Sequence, residues 1–390
     1  MDPRNNPFSP GAGTQPPELA GRDSILEKAN IALARIRSGR SSKSLILVGL
    51  RGVGKTVLLN RICDRAKAEG YKEVLIEAHE NKPLPALLVS PLRQILYSLD
   101  TMKNISEKTK RGFRVLRSFV TGLKLRINEI EIGVGEVEQG SADSGDLEAD
   151  LGELLVAVAE AAADRQTAVA ICVDELQYLK EIELSALIMA MHRVAQRNLP
   201  LTLVGAGLPQ IIALTGKSKS YAERLFDFPE VGPLSPEDAR NALQIPVLVQ
   251  GVEFAKEALD EIIRKTERYP YFLQQWGHEA WNIAESSPIT LRVIKNATKT
   301  AITNLDQSFF RVRFDRLTPR EKEYLRVLAT LGLGNQRSGD IADKLGVGVQ
   351  SVAPLRSGLI KKGMIYSPSH GDTAFTVPLF GAFMLRMIPN

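Results

Sequence analysis

Residues 49–56 read GLRGVGKT, a glycine, four spacers, then Gly-Lys-Thr. That is the full G-x-x-x-x-G-K-[ST] pattern of a loop that wraps phosphates. Its glycines let backbone N–H groups turn inward, and the helix that follows adds the positive end of its dipole. Gly49, Leu50, Arg51, Gly52, Val53 and Gly54 would form the cradle, with Val57 in the first helical turn. Lys55 is placed to reach the outer phosphates and Thr56 to put its hydroxyl on Mg²⁺. SLILV (44–48) before the loop is a short apolar run, and VLLNRICDRAKAEG (57–70) after it has helical spacing and stops at Gly70. Strand, glycine loop and helix in that order begin an α/β domain with a parallel sheet.

Working outward, EVLIEA (73–78) reads as a second strand. TAVAICVDELQYL (167–179) and LPLTLVGAGLPQ (199–210) are two more apolar strands, separated by the helical EIELSALIMAMHRVAQR (181–197). Residues 82–145 look like an insertion: two helical stretches, 83–99 and 108–123, then an alternating ribbon, LRINEIEIGVGEVE (125–138). In the loop that follows, Ser144 or Asp146 is placed to cap the next helix. Asp174 ends an apolar strand, where a carboxylate can meet a Mg²⁺ shell, and Glu175 beside it is positioned as the base that activates water.

From Ser235 four helical segments follow without strands, then three more helical segments and a ribbon from Leu317 onward. The expected layout is a flexible tail over 1–18, an α/β core over 19–234, a helical lid over 235–305 and a C-terminal unit over 306–390. In the last unit Leu355, Leu359 and Ile360 have the spacing of a buried face, with Gln350, Ser351, Arg356, Lys361 and Lys362 off it. That is the pattern of a winged helix. Gly346 would supply its turn, Pro354 would sit in the first turns of the reading helix, and SPSHGDT with His370 would form the wing.

Composition narrows the class. The chain has 390 residues, a formal net charge of +5, and 44% hydrophobic residues. Residues 306–390 carry 12 Lys+Arg against 7 Asp+Glu, so the whole excess lies at the C-terminus. That balance favours double-stranded DNA as a partner, with a protein partner as the alternative. Cys63 and Cys172 lack metal-ligand neighbours and read as reduced thiols in a core. His79, His192, His278 and His370 show no metal-binding spacing. No apolar run approaches the ~18 residues of a membrane span, and the Pro/Gly-rich start lacks the apolar centre of a signal peptide. A cytoplasmic protein is expected.

GLRGVGKT, AVAICVDELQYL, TLVGAGLPQ and AERLFDFPEVGPL, in that order, resemble AAA+ ATPases of the replication-initiator and STAND-like branch, whose bacterial members are known as ATP-binding proteins. The resemblance runs from about Leu19 to the C-terminus. It implies a five-stranded parallel sheet with a helical lid and a C-terminal winged helix, ATP and Mg²⁺ as ligands, and Glu175 as catalytic base. It implies a homo-oligomer in the ATP-bound form, with Arg224 of SYAERLFDF offered across the interface and Arg193 and Arg197 as alternatives. AGRDSIL (20–26) resembles the N-terminal box, which puts Gly21 and Arg22 near the adenine.

Two departures bear on what the protein does with ATP. Motor-type relatives place Asn or Thr at the end of the strand that here reads LTLVGAG, where Ala206 and Gly207 offer no polar side chain. Thr202, Gln210 and Gln177 are the alternatives. ERYPYFLQQW (267–276) resembles the Gly-x-Pro lid motif, with Pro270 in place but Arg268 where glycine would stand. Arg268 could itself touch a phosphate; an aromatic helix start packed on the core is the other reading. The sequence therefore points to a slow ATPase used as a switch.

Overall fold

All five residues of β1 (Ser44–Val48) are buried, as are all six of β3 (Val169–Asp174) and all seven of β4 (Leu201–Gly207). A strand covered on both faces needs such an unbroken apolar run. The computed structural model describes residues 1–11, 13–99, 105–122, 142–332, 334–369 and 371–389. The ribbon expected at 125–138 and the wing residue His370 lie outside them.

Contacts divide the chain into two units. The first comprises Asp23–Val48 and Lys55–Glu230. Here α1 (Asp23–Arg37) precedes β1, α2 (Lys55–Ala68) follows the phosphate loop, and β2 (Lys72–Glu77) comes next. Three helices, α3 (Leu84–Leu99), α4 (Glu107–Gly122) and α5 (Leu147–Asp164), lead to β3. Then come α6 (Glu181–Gln196), β4, α7 (Gln210–Ser218), α8 (Ala222–Leu225) and β5 (Phe226–Asp227). The sheet order is β2-β3-β4-β1-β5, parallel throughout. β2 is an edge strand, and its alternation shows it: Val74 and Ile76 are buried while Leu75 is exposed.

The stretch expected to be an insertion is helical at both segments, but it is not a separate body. Leu88, Leu92 and Leu96 of α3 and Phe119 of α4 are fully buried in the same core as α5, α6 and the sheet. Asp146 caps α5 by accepting from Glu148 N. Ser144 instead donates its hydroxyl to Asp150 at 2.7 Å.

The second unit comprises Met1–Arg22, Gly49–Gly54 and Val231–Asn390. Its helices are α9 (Pro236–Leu248), α10 (Lys256–Thr266), α11 (Pro270–Ile283), α12 (Leu291–Gln307), α13 (Arg311–Phe314), α14 (Pro319–Thr330), α15 (Ser338–Lys344), α16 (Val349–Lys361) and α17 (Phe380–Met387). A small antiparallel sheet runs β6-β8-β7, from Gln336–Arg337, Asp372–Phe375 and Ile365–Tyr366 respectively. Proline at N1 starts α9, α11 and α14, where its missing N–H costs nothing.

Residue 306, the expected lid boundary, falls beside a continuous aromatic core. Tyr271 stacks on Phe309 at 4.6 Å, and Phe310 packs on Phe272, Phe380 and Phe383. Nor is the N-terminus a loose tail. Phe8 is buried against Gly277, where a Cβ would lie 2.8 Å from its ring. Asn6 donates to His278 O and Asn282 Oδ1, and Trp281 Nε1 donates to Asp2 O. An aromatic anchor set in a run of proline and glycine fixes the segment that composition alone marks as flexible.

Candidate functional site

In the first unit the chemistry gathers at the C-terminal ends of β1 and β3. Lys55 opens α2 and is buried. Thr56 donates its hydroxyl to Asp174 Oδ2 at 2.6 Å, and Glu175 N donates to Asp174 Oδ1 at 2.8 Å. Burial pushes the Asp174 carboxyl above its ordinary range, with the Glu175 charge adding to the rise; the Thr56 hydroxyl, the Glu175 N–H and Lys55 work against it. A hydroxyl and a buried carboxylate this close are the hard oxygen donors that suit Mg²⁺ shared with phosphates and water. Among the described residues no group of three or more His, Cys, Asp or Glu could hold a metal alone.

Glu175 has φ +54°, in the left-handed region, and heads the short turn Leu176–Tyr178. A side chain other than glycine is strained there, and such strain clusters at working sites. The turn returns Gln177 toward Glu175. Its amide nitrogen donates to Glu175 Oε2, and its amide oxygen accepts from Leu208 N at 3.0 Å. Gln177 thus supplies the polar group at the end of β4 that Ala206 and Gly207 lack.

The small residues of β4 make room for this turn. A Cβ on Gly205 would meet Leu176 Cδ1 at 2.3 Å, and one on Gly207 would meet Gln177 Oε1 at 3.2 Å. The other two alternatives are placed differently. Thr202 lies at the start of β4, buried and 3.4 Å from the Ser44 hydroxyl. Gln210 heads α7 with its amide oxygen enclosed and without a hydrogen-bond partner among the described residues.

Arg224 stands exposed on α8, with no side-chain partner among the described residues. Arg193 and Arg197 do not match it. Arg193 pairs with Glu153 at 3.3 Å and Arg197 with Glu160 at 3.4 Å, so both belong to an ion network inside the unit.

In the second unit the loop Gly49–Gly54 is held from several sides. Gly52 and Gly54 have φ of +82° and +89°. A Cβ on Gly49 would lie 2.1 Å from Val231 O, an approach only glycine allows. Arg22 is buried and donates to Val53 O at 3.1 Å and Gly232 O at 2.6 Å. Burial lowers its pKa and Asp238 opposes the drop. Val57 lies in the first turn of α2, half-buried.

Pro270 begins α11, and the next residue, Tyr271, donates its N–H to Gly52 O at 3.1 Å. Arg268 takes φ +62°, the conformation a glycine would supply, and its carbonyl accepts from Leu234 N. Sequence reasoning gave no sign of a further tether, Arg51 N donating to Thr376 O at 3.0 Å. A backbone-to-backbone bond carries no side-chain signature.

At the C-terminal end the buried face of α16 is set by Val352 and Leu359, while Leu355 and Ile360 are half-buried. Arg356 and Lys362 are not free for a partner. Arg356 donates to Thr373 Oγ1, Ser367 Oγ and Asp372 O, and Lys362 pairs with Glu321 at 2.7 Å. Gln350, Ser351 and Lys361 are exposed.

Residues 18–204 match the AAA ATPase domain, and the phosphate loop, Asp174 and Glu175 lie within the matched residues. Residues 307–384 match a domain of unknown function (DUF8462). The chain is similar, at 23% identity over 92% of its length and 86% of the relative, to an uncharacterized HTH-type transcriptional regulator of Methanocaldococcus jannaschii. Among solved structures it is similar to the Walker-type ATPase PABY2304 of Pyrococcus abyssi, with TM-score 0.60, 17% identity, and 95% and 97% of the two chains covered. That likeness is one of fold, a five-stranded parallel sheet flanked by helices. No helix among the described residues is long and apolar enough to cross a membrane.

Proposed function

We propose that the protein hydrolyses ATP slowly and uses it as a switch for its own assembly and for binding double-stranded DNA through a C-terminal winged helix. The observation that carries this reading is the Thr56–Asp174 hydrogen bond at 2.6 Å, directly beside a glutamate held by an amide. The loop's N–H groups and Lys55 bind the phosphates. Thr56 and Asp174 would hold Mg²⁺, which supplies charge neutralisation on the phosphate oxygens when bound. Glu175 accepts the proton of the attacking water, and Arg224 of a second copy stabilises the charge that develops.

Slow turnover follows from Gln177. While its amide occupies Glu175, the carboxylate is not free to orient water. Support for DNA is the basic excess of residues 306–390 and the name of the Methanocaldococcus relative, an HTH-type transcriptional regulator.

A STAND-like signalling or defence role, with a protein bound at the C-terminal part, is the second reading. One observation favours it: the exposed face of α16 carries Ser351, Ala353, Pro354 and Ser357 with Val347 and Val349 beside it, while Arg356 is tied to the β7–β8 hairpin.

Steady-state ATP turnover with and without duplex DNA tests the two, with Glu175→Gln as the blank. Stimulation by DNA that falls steeply with salt supports the first reading. Turnover indifferent to DNA moves the search to a protein partner, and a Glu175→Gln variant as active as wild type would remove Glu175 as the base.

A further inference from the structure

Thr376 follows β8 and is fully buried. Its hydroxyl donates to Gly363 O at 2.5 Å, with Met364 O at 3.1 Å as a second acceptor. Its N–H also donates to Met364 O, at 3.0 Å. Those two carbonyls belong to the cap that ends α16. Gly363 has φ +65° and its N–H donates to Ile360 O, while Met364 N donates to Leu359 O. That pair of bonds is how a helix closes on a left-handed glycine. Arg356 ties the β7–β8 hairpin to α16 at three more atoms, Thr373 Oγ1, Ser367 Oγ and Asp372 O. Helix and hairpin are thus joined into one piece.

The carbonyl of Thr376 accepts from Arg51 N at 3.0 Å. The phosphate loop is held at the next two residues as well: Gly52 O accepts from Tyr271 N, and Val53 O from Arg22. In a trans peptide the C=O and N–H point opposite ways. Holding Gly52 O and Val53 O on the outside turns the N–H groups of Val53 and Gly54 the other way, toward the phosphate position. Arg51 is where the chain enters that turn. Of the three grips, the one on Arg51 is supplied by the domain at 307–384.

We propose that Thr376 is a positioning residue for nucleotide binding: its buried hydroxyl pins the carbonyl that holds Arg51, so the cap of α16 sets the shape of the phosphate loop. This rests on the reading that the loop binds ATP. Thr376 acts through the Arg51 peptide rather than on a phosphate. Valine fills nearly the same space, but it leaves Gly363 O without its donor and the Thr376 carbonyl with one anchor fewer.

The test is calorimetric titration of ATP with Mg²⁺ into the full chain, with steady-state kinetics and thermal melts alongside. Thr376→Val should weaken ATP binding about tenfold, the worth of one hydrogen bond. KM should rise with it while kcat changes little, and Thr376→Ser, which keeps the hydroxyl, should restore both. Thr373→Val is the control, because Thr373 is a buried hydroxyl of the same hairpin that pairs with Arg356. Equal losses from the two valine variants would mark a general loosening of the hairpin and overturn the proposal. If the Thr376→Val chain does not fold, Thr376→Cys replaces it; its thiol is a weaker donor, and its affinity should fall below that of Thr376→Ser. A wild type that binds ATP no better than the Thr376 variants removes this proposal alone. A wild type that binds no ATP removes the phosphate-loop reading along with it.

Discussion

Gln177 donates its amide to the Glu175 carboxylate while accepting from Leu208 N at 3.0 Å, joining the candidate base to the end of β4. A hydrogen bond to a charged group contributes about 1.5–3 kcal/mol. If that contact restrains Glu175, Gln177→Ala should raise kcat roughly tenfold with KM little changed. Steady-state kinetics decides it. A fall in kcat toward that of Glu175→Gln would make Gln177 an orienting residue instead.

Asp174 is the acid whose environment opposes its charge. Burial raises its pKa in the folded chain above that of the unfolded chain. The folded state then binds the proton more tightly. This stabilisation is full below the unfolded pKa and is lost as pH rises through the folded one. At neutral pH nucleotide-free Asp174→Asn should therefore melt a few degrees above wild type, with the gap closing in acid. Adding ATP and Mg²⁺ should raise the melting temperature of wild type but not of Asp174→Asn. Scanning calorimetry from pH 4 to 8 measures both, and a variant less stable than wild type at pH 7 contradicts the assignment.

The site was legible where its chemistry is local. GLRGVGKT and the Asp174–Glu175 pair point to phosphate and metal by residue type and spacing, and the apolar runs around them give the sheet. Gln177 was harder to place, because its position depends on a turn that fits only against Gly205 and Gly207 of a distant strand. Arg356 and Lys362 misled for a related reason. A helical wheel assigns off-face residues to solvent, whereas here the hairpin and Glu321 take them up. Phe8 lies in a stretch whose composition signals a flexible tail, yet one aromatic ring outweighs it.

Arg268 sits where a glycine would be cheaper. A left-handed conformation costs a residue with a Cβ about 1–2 kcal/mol, offset in part by the entropy glycine loses on folding. Arg268→Gly should therefore stabilise the protein by about 1 kcal/mol in denaturant melts. If the guanidinium touches a phosphate, the same variant binds ATP more weakly. A variant both more stable and undiminished in ATP affinity leaves Arg268 without a role at the nucleotide.

Arg22 tests whether the loop is built before the nucleotide arrives. It is buried, and its guanidinium satisfies Val53 O and Gly232 O at once. Arg22→Met keeps much of the length but leaves both carbonyls short of a donor, a loss of about 1–3 kcal/mol for each group that stays buried. Because Val53 belongs to the loop itself, the loss falls on the order of the phosphate cradle. ATP affinity should drop at least tenfold, while Arg22→Lys, which keeps a donor but not the fork, should recover only part of it. Calorimetric titration of the three proteins gives the ranking. Equal affinities would mean that the glycines and the backbone tethers at Tyr271 and Thr376 hold the loop in shape without Arg22.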